Sequence, residues 1–81
     1  MMRFSTIRDV RTYVDGRING WMVDVDDYVG TVDAIADAIR AQARDAGLGW
    51  GDDWSELPLL RDSDEAAAAW QRIGLGAAAN G

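Results

Sequence analysis

The clearest periodicity runs from about Thr31 to Ala46, where Val32, Ile35, Ala36, Ile39, Ala43 and Ala46 recur at helical spacing and share one stripe. Asp33, Asp37, Arg40 and Arg44 fall on the opposite face. Thr31 is placed as the N-cap, and Asp33 sits in the first turn, where the helix dipole favours a negative charge. Gly47 fits the left-handed position just beyond the helix end. A second helix is predicted from Ser63 to Ile73. Ser63 caps it, Asp64 and Glu65 fill its first turn, and Ala66, Ala69, Trp70 and Ile73 form a narrow apolar stripe. Gly74 is expected to stop this helix, with Leu75 folding back onto it. Residues 1–75 then make one small domain, and residues 76–81 a flexible tail.

Residues 4–28 support two readings. As a helix capped by Thr6, with Asp9 three residues on, the segment places Phe4, Ile7, Val10, Val14, Ile18, Trp21 and Val25 on one stripe. As a hairpin, Asn19–Gly20 is a two-residue turn that sets Ile18 against Trp21 and Val14 against Val25. Gly16, Asn19, Gly20 and the run Trp21–Val25 favour the hairpin by propensity, whereas its other face would oppose Asp15 to Asp24. The preferred reading is a helix over Thr6–Ile18, with Trp21–Val25 open to either. The lead fold is therefore a small all-α domain of three helices with a Gly- and Trp-bearing loop over Gly47–Leu60. An α+β fold with an N-terminal hairpin around Asn19–Gly20 is the alternative.

Composition narrows the chemistry. The 81 residues contain no His and eight positive charges against fourteen acids, a net charge of −6. Every positive side chain is Arg. Cys and Lys are absent, so disulfides, thiolate metal sites, a histidine base and a lysine Schiff base are all excluded. Residues 1–20 carry four Arg and two Asp, whereas residues 21–60 carry two Arg and nine acids. Direct nucleic-acid binding needs a basic face and is not expected, nor is binding to anionic membranes. Without a long apolar span or leader-like start, the expected compartment is cytoplasmic.

No residue pattern meets the demands of a catalytic or metal motif. Asp24–Val25–Asp26–Asp27 opens like a calcium-binding loop, but Tyr28, Val29 and Ile35 stand where such a loop needs an oxygen ligand, a glycine and a glutamate. Asp52, Asp53 and Glu56 near Trp50 and Trp54 have the composition of a glycosidase site but no spacing that fixes a carboxylate pair. No cofactor is expected. Four Trp in so short a chain are first explained by the need to bury apolar area. Trp50 and Trp54 lie in the Gly-rich loop and are either its anchors to the core or exposed contacts within an acidic rim. Taken together, Asp24, Asp26, Asp27, Asp33, Asp37, Asp52, Asp53 and Glu56, with Trp50 and Trp54, are the candidate partner-binding residues. A dense carboxylate array can imitate the phosphates of nucleic acid and occupy a basic groove.

The segment Tyr13–Val14–Asp15–Gly16–Arg17–Ile18–Asn19–Gly20–Trp21–Met22–Val23–Asp24 resembles the Tyr-x-x-Gly-x-Leu-x-Gly-x-x-Ile-Asp stretch of ArdA-type antirestriction proteins. Downstream, Asp33–Ala34–Ile35 resembles that family's acidic helix, and Asp53–Trp54 its Glu-Glu-Trp. Met22 stands where the family has Trp, and the chain is about half a family member's length. The resemblance implies an acidic DNA mimic of phages and mobile elements, and an N-terminal hairpin. The functional expectation is a non-enzymatic accessory protein that blocks a host nucleic-acid enzyme by binding its basic surface. The alternative is a structural module that forms a homodimer or joins a larger assembly.

Overall fold

The computed structural model describes residues 1–21 and 27–80, without the side chains at 20, 21 and 78–80. Three helices carry the chain: α1 over Ile7–Trp21, α2 over Tyr28–Asp45 and α3 over Asp64–Asn80. No strand occurs among the described residues, and the fold is a small all-α domain. The helix α2 is the middle element, packed against both α1 and α3.

The helical reading of the first segment prevails. The stripe of α1 buries Val10, Val14 and Ile18 completely. The Asp9 carboxylate at the third helical position accepts the N–H groups of Ser5 (2.7 Å) and Thr6 (3.2 Å), satisfying donors that the helix start leaves open. The hairpin alternative fails because Asn19 and Gly20 are the last helical residues before Trp21. A helix buries three branched side chains at once, which outweighs the weak propensities of Gly16, Asn19 and Gly20. The stretch Trp21–Val25, which either reading could hold, falls largely outside the described residues.

Helix α2 begins one turn earlier than its pattern suggested. Asp27, not Thr31, is the N-cap: its side chain accepts from Gly30 N at 2.9 Å. Thr31 lies one turn inside, fully buried, with its hydroxyl donating to the Asp27 carbonyl at 2.7 Å. At the other end Gly47 N donates to Arg44 O and Leu48 N to Ala43 O, with Gly47 at φ 76°. This is the Schellman end expected from the glycine. The two glycines Gly16 and Gly47 therefore differ in kind. A methyl group at Gly16 meets nothing within 4 Å on the exposed face of α1. Gly16→Ala is expected to stabilise the protein by about 0.5–1 kcal/mol, and Gly47→Ala to destabilise it by about 1 kcal/mol or more. Urea unfolding of the two variants measures both signs.

Helix α3 starts as expected, with Ser63 Oγ accepting Ala66 N at 3.1 Å. It does not stop at Gly74. Among the described residues only Gly47 and Gly51 have positive φ, so Gly74 is an ordinary helical residue, buried one turn beyond Trp70. The alanines beyond it carry the helix to Asn80. Leu75 consequently lies on the outer face, 70% exposed, and makes no end contact.

The connector between α2 and α3 belongs to the core rather than to the surface. Trp54, Leu57, Leu59 and Leu60 are buried in the same cluster as Val14, Ile35, Ile39 and Trp70. Its backbone is satisfied from both neighbouring helices. Gln42 Oε1 of α2 accepts Leu59 N at 3.1 Å, and Trp70 Nε1 of α3 donates to Leu59 O at 2.8 Å. A buried loop needs such partners, because an unpaired carbonyl away from water is costly.

Candidate functional site

The structure describes eight of the ten candidate residues and puts them to different uses. Asp24 and Asp26 lie outside the described residues. Asp27 is spent on capping α2, Asp52 Oδ2 accepts Gly49 N at 2.7 Å, and Asp53 accepts Met2 N and Ser55 N at 3.0 Å each. Asp33 pairs with Arg11 of α1 at 2.9 Å, a half-exposed bridge. Asp37 is exposed on the outward face of α2, and the same face carries Arg40 and Arg44, so this helix offers mixed rather than negative charge.

The two tryptophans of the loop part company. Trp54 is fully buried, its Nε1 donating to Gly49 O at 3.1 Å. As an exposed contact it is therefore excluded, and it serves as the connector's anchor. Trp50 is 41% exposed and stacks on Trp54 with ring centres 5.2 Å apart and planes 29° from parallel. The Arg40 guanidinium sits 4.9 Å from the centre of the Trp50 ring, a cation–π contact. Arg40 Nη1 is buried with no hydrogen-bond acceptor, and the electron-rich indole face compensates for that in part. Trp50 is thus held in place yet open to solvent.

The excess negative charge gathers on the connector and its flanks. Residues 45–65 hold Asp45, Asp52, Asp53, Glu56, Asp62, Asp64 and Glu65 against Arg61 alone, which equals the net −6 of the whole chain. All seven acids are exposed. Arg61 turns back to its own connector, its Nε donating to Glu56 O at 3.0 Å. The sequence placed the acidity broadly over 21–60. The 45–65 segment also holds Trp50, and the connector's apolar residues Trp54, Leu57, Leu59 and Leu60 are turned inward.

Asp53 fastens this region to the N-terminal segment. The Ser55 and Met2 N–H groups, donating to the carboxylate, hold it well below the ordinary value of 3.8, at about 2. Folding therefore favours the charged form. That contribution is fully present above pH 3.8 and is lost as pH falls through about 2. The stability difference between wild type and Asp53→Asn is expected to be greatest near neutrality and to vanish below pH 2; a difference constant across that range contradicts the assignment.

A shallow open groove of about 320 Å³ lies between α1 and the start of α2, lined by Arg11, Thr12, Asp15, Tyr28, Val29, Val32 and Asp33. Its polar walls are mutually paired. Arg11 meets Asp33, and Tyr28 Oη donates to the Asp15 carboxylate. That hydrogen bond, then desolvation and the Asp15 charge, raise the Tyr28 phenol above its ordinary value. Among the described residues no group of three or more acids could hold a metal ion, and no helix is long and apolar enough to cross a membrane.

Comparison with protein-family profiles, with curated proteins and with solved structures returned no match in any of the three.

Proposed function

We propose that this chain is a non-catalytic interaction protein, an accessory factor of a phage or mobile element that acts in the host cytoplasm. Its acidic connector binds the basic surface of a host protein that handles nucleic acid and blocks it. The observation that carries this reading is the charge of residues 45–65: seven exposed acids against one Arg on the connector and the helix ends that flank it, with Trp50 half-exposed in the same segment. A rigid aromatic in a predominantly acidic segment has the composition of an interface anchor with an electrostatic rim, here with the Arg40 guanidinium on the ring face. The ArdA resemblance adds to the reading. It does so through the acidic pattern and not through the hairpin, since Tyr13–Trp21 is helical.

Neutralising Asp45, Glu56 and Asp62 to Asn, Gln and Asn tests it at little cost to folding, because none of the three side chains has a partner among the described residues. The tagged wild type and this variant, both shown to be folded by circular dichroism, are used to capture proteins from a bacterial lysate. The expected result is a bound protein that the variant fails to hold and that salt releases steeply. Equal capture by both proteins, insensitive to salt, contradicts an acidic interface.

A further inference from the structure

Residues 2–4 lie on the connector as an extended peptide lies on a receiving edge. Gly51 N and Trp54 N donate to the carbonyls of Phe4 and Met2 at 2.8 Å each. Arg3 pairs antiparallel with Asp53, whose carboxylate also takes Met2 N. Phe4 is 7% exposed and fills a pocket between Tyr13 and Trp54, with ring centres 5.8 and 5.3 Å away. A backbone ladder together with a pocket for one side chain are the two parts of recognition by strand addition.

This N-terminal strap is also separable from helix α1. It joins α1 through Ser5 and Thr6, whose N–H groups belong to Asp9. Helix α1 therefore keeps its cap when residues 2–4 leave. The walls of the site are also held from outside the strap: the Tyr13 and Trp54 rings pack against Trp70 and Trp50, and Trp54 Nε1 donates to the Gly49 carbonyl. We propose that this is a peptide-binding site occupied in cis by the chain's own strap, and that an extended segment of a protein partner carrying an aromatic side chain takes the same place. The site needs no charge on its ligand and stands independently of the acidic-surface reading.

The full chain carrying Phe4→Ala empties the pocket. Titration with the synthetic peptide Met-Met-Arg-Phe-Ser-Thr, followed by amide chemical shifts, is expected to move Gly51 and Trp54 saturably. The same peptide with alanine for phenylalanine leaves them in place, and the wild type is unmoved at the same concentration. No saturable shift in the folded variant overturns the proposal. Hydrogen exchange on the wild type tests separability even if Phe4→Ala fails to fold. The Gly51 and Trp54 amides are expected to exchange together, at least about tenfold faster than the slowest amides of α2. Exchange at the core rate means that the strap leaves only on global unfolding, and this also overturns the proposal. So does a concentration-dependent wild-type dimer with exchanged straps, which puts a second copy in the site.

Discussion

Trp70→Ala is expected to cost about 3–5 kcal/mol, a large part of the roughly 4–12 kcal/mol available to a domain of this length. Trp70 is 1% exposed and joins three parts of the chain. Its ring meets Tyr13 of α1 edge to face at 6.1 Å and lies 5.2 Å from the Arg17 guanidinium. Its Nε1 supplies the donor for the buried Leu59 carbonyl. Trp70→Phe separates these contributions, because it keeps most of the volume and removes the donor. The expected cost is then about 1–3 kcal/mol, the penalty of a carbonyl left without a partner. Urea unfolding reads both values, and a Trp70→Phe protein as stable as the wild type contradicts the role given to the Leu59 bond.

The second large effect separates two tryptophans four residues apart. Trp54→Ala is expected to cost about 3–5 kcal/mol, since it opens a cavity beside Phe4 and Trp50 in the buried cluster and removes one of the two donors to the Gly49 carbonyl, leaving it Asp52 N. Trp50→Ala is expected to cost less than about 1.5 kcal/mol, because it loses one stack and one cation–π contact on a ring already 41% exposed. The two substitutions are also expected to differ in binding. Trp50→Ala weakens partner capture in a folded protein, whereas Trp54→Ala acts only through unfolding. Thermal melts of both, with capture measured below the lower transition, check the division. Capture by folded Trp50→Ala equal to wild type removes Trp50 from the interface.

Sequence pattern was informative where one periodicity had no rival. The stripe from Val32 to Ala43, the cap at Ser63 and the left-handed Gly47 all stand in the structure, because each rests on interactions within a few residues. Asn19–Gly20 misled in part, since its turn preference is local and the burial of Val10, Val14 and Ile18 is collective. Gly74 misled for the opposite reason: a glycine marks a helix end only when φ is positive, and here the alanines beyond it keep the helix going. The strap was illegible. Met2 and Asp53 are 51 positions apart, and no pattern within residues 2–4 announces a partner. Trp50 and Trp54 were indistinguishable for a related reason, because a loop has no period to sort its inner from its outer residues. The site residues obey the same division: acids at Asp27, Asp52 and Asp53 were visible as charge, but their structural use depended on backbone donors that the sequence does not show.

The most direct measurement is a displacement assay on whatever protein the wild-type chain captures. Duplex DNA of mixed sequence is added to the preformed complex and the release of the chain is monitored by fluorescence anisotropy. Competition for one basic surface gives complete release by DNA, and it requires that the Asp45, Glu56 and Asp62 variant not form the complex at all. A complex that persists at saturating DNA, with DNA bound alongside the chain, contradicts the acidic connector as a nucleic-acid-like surface.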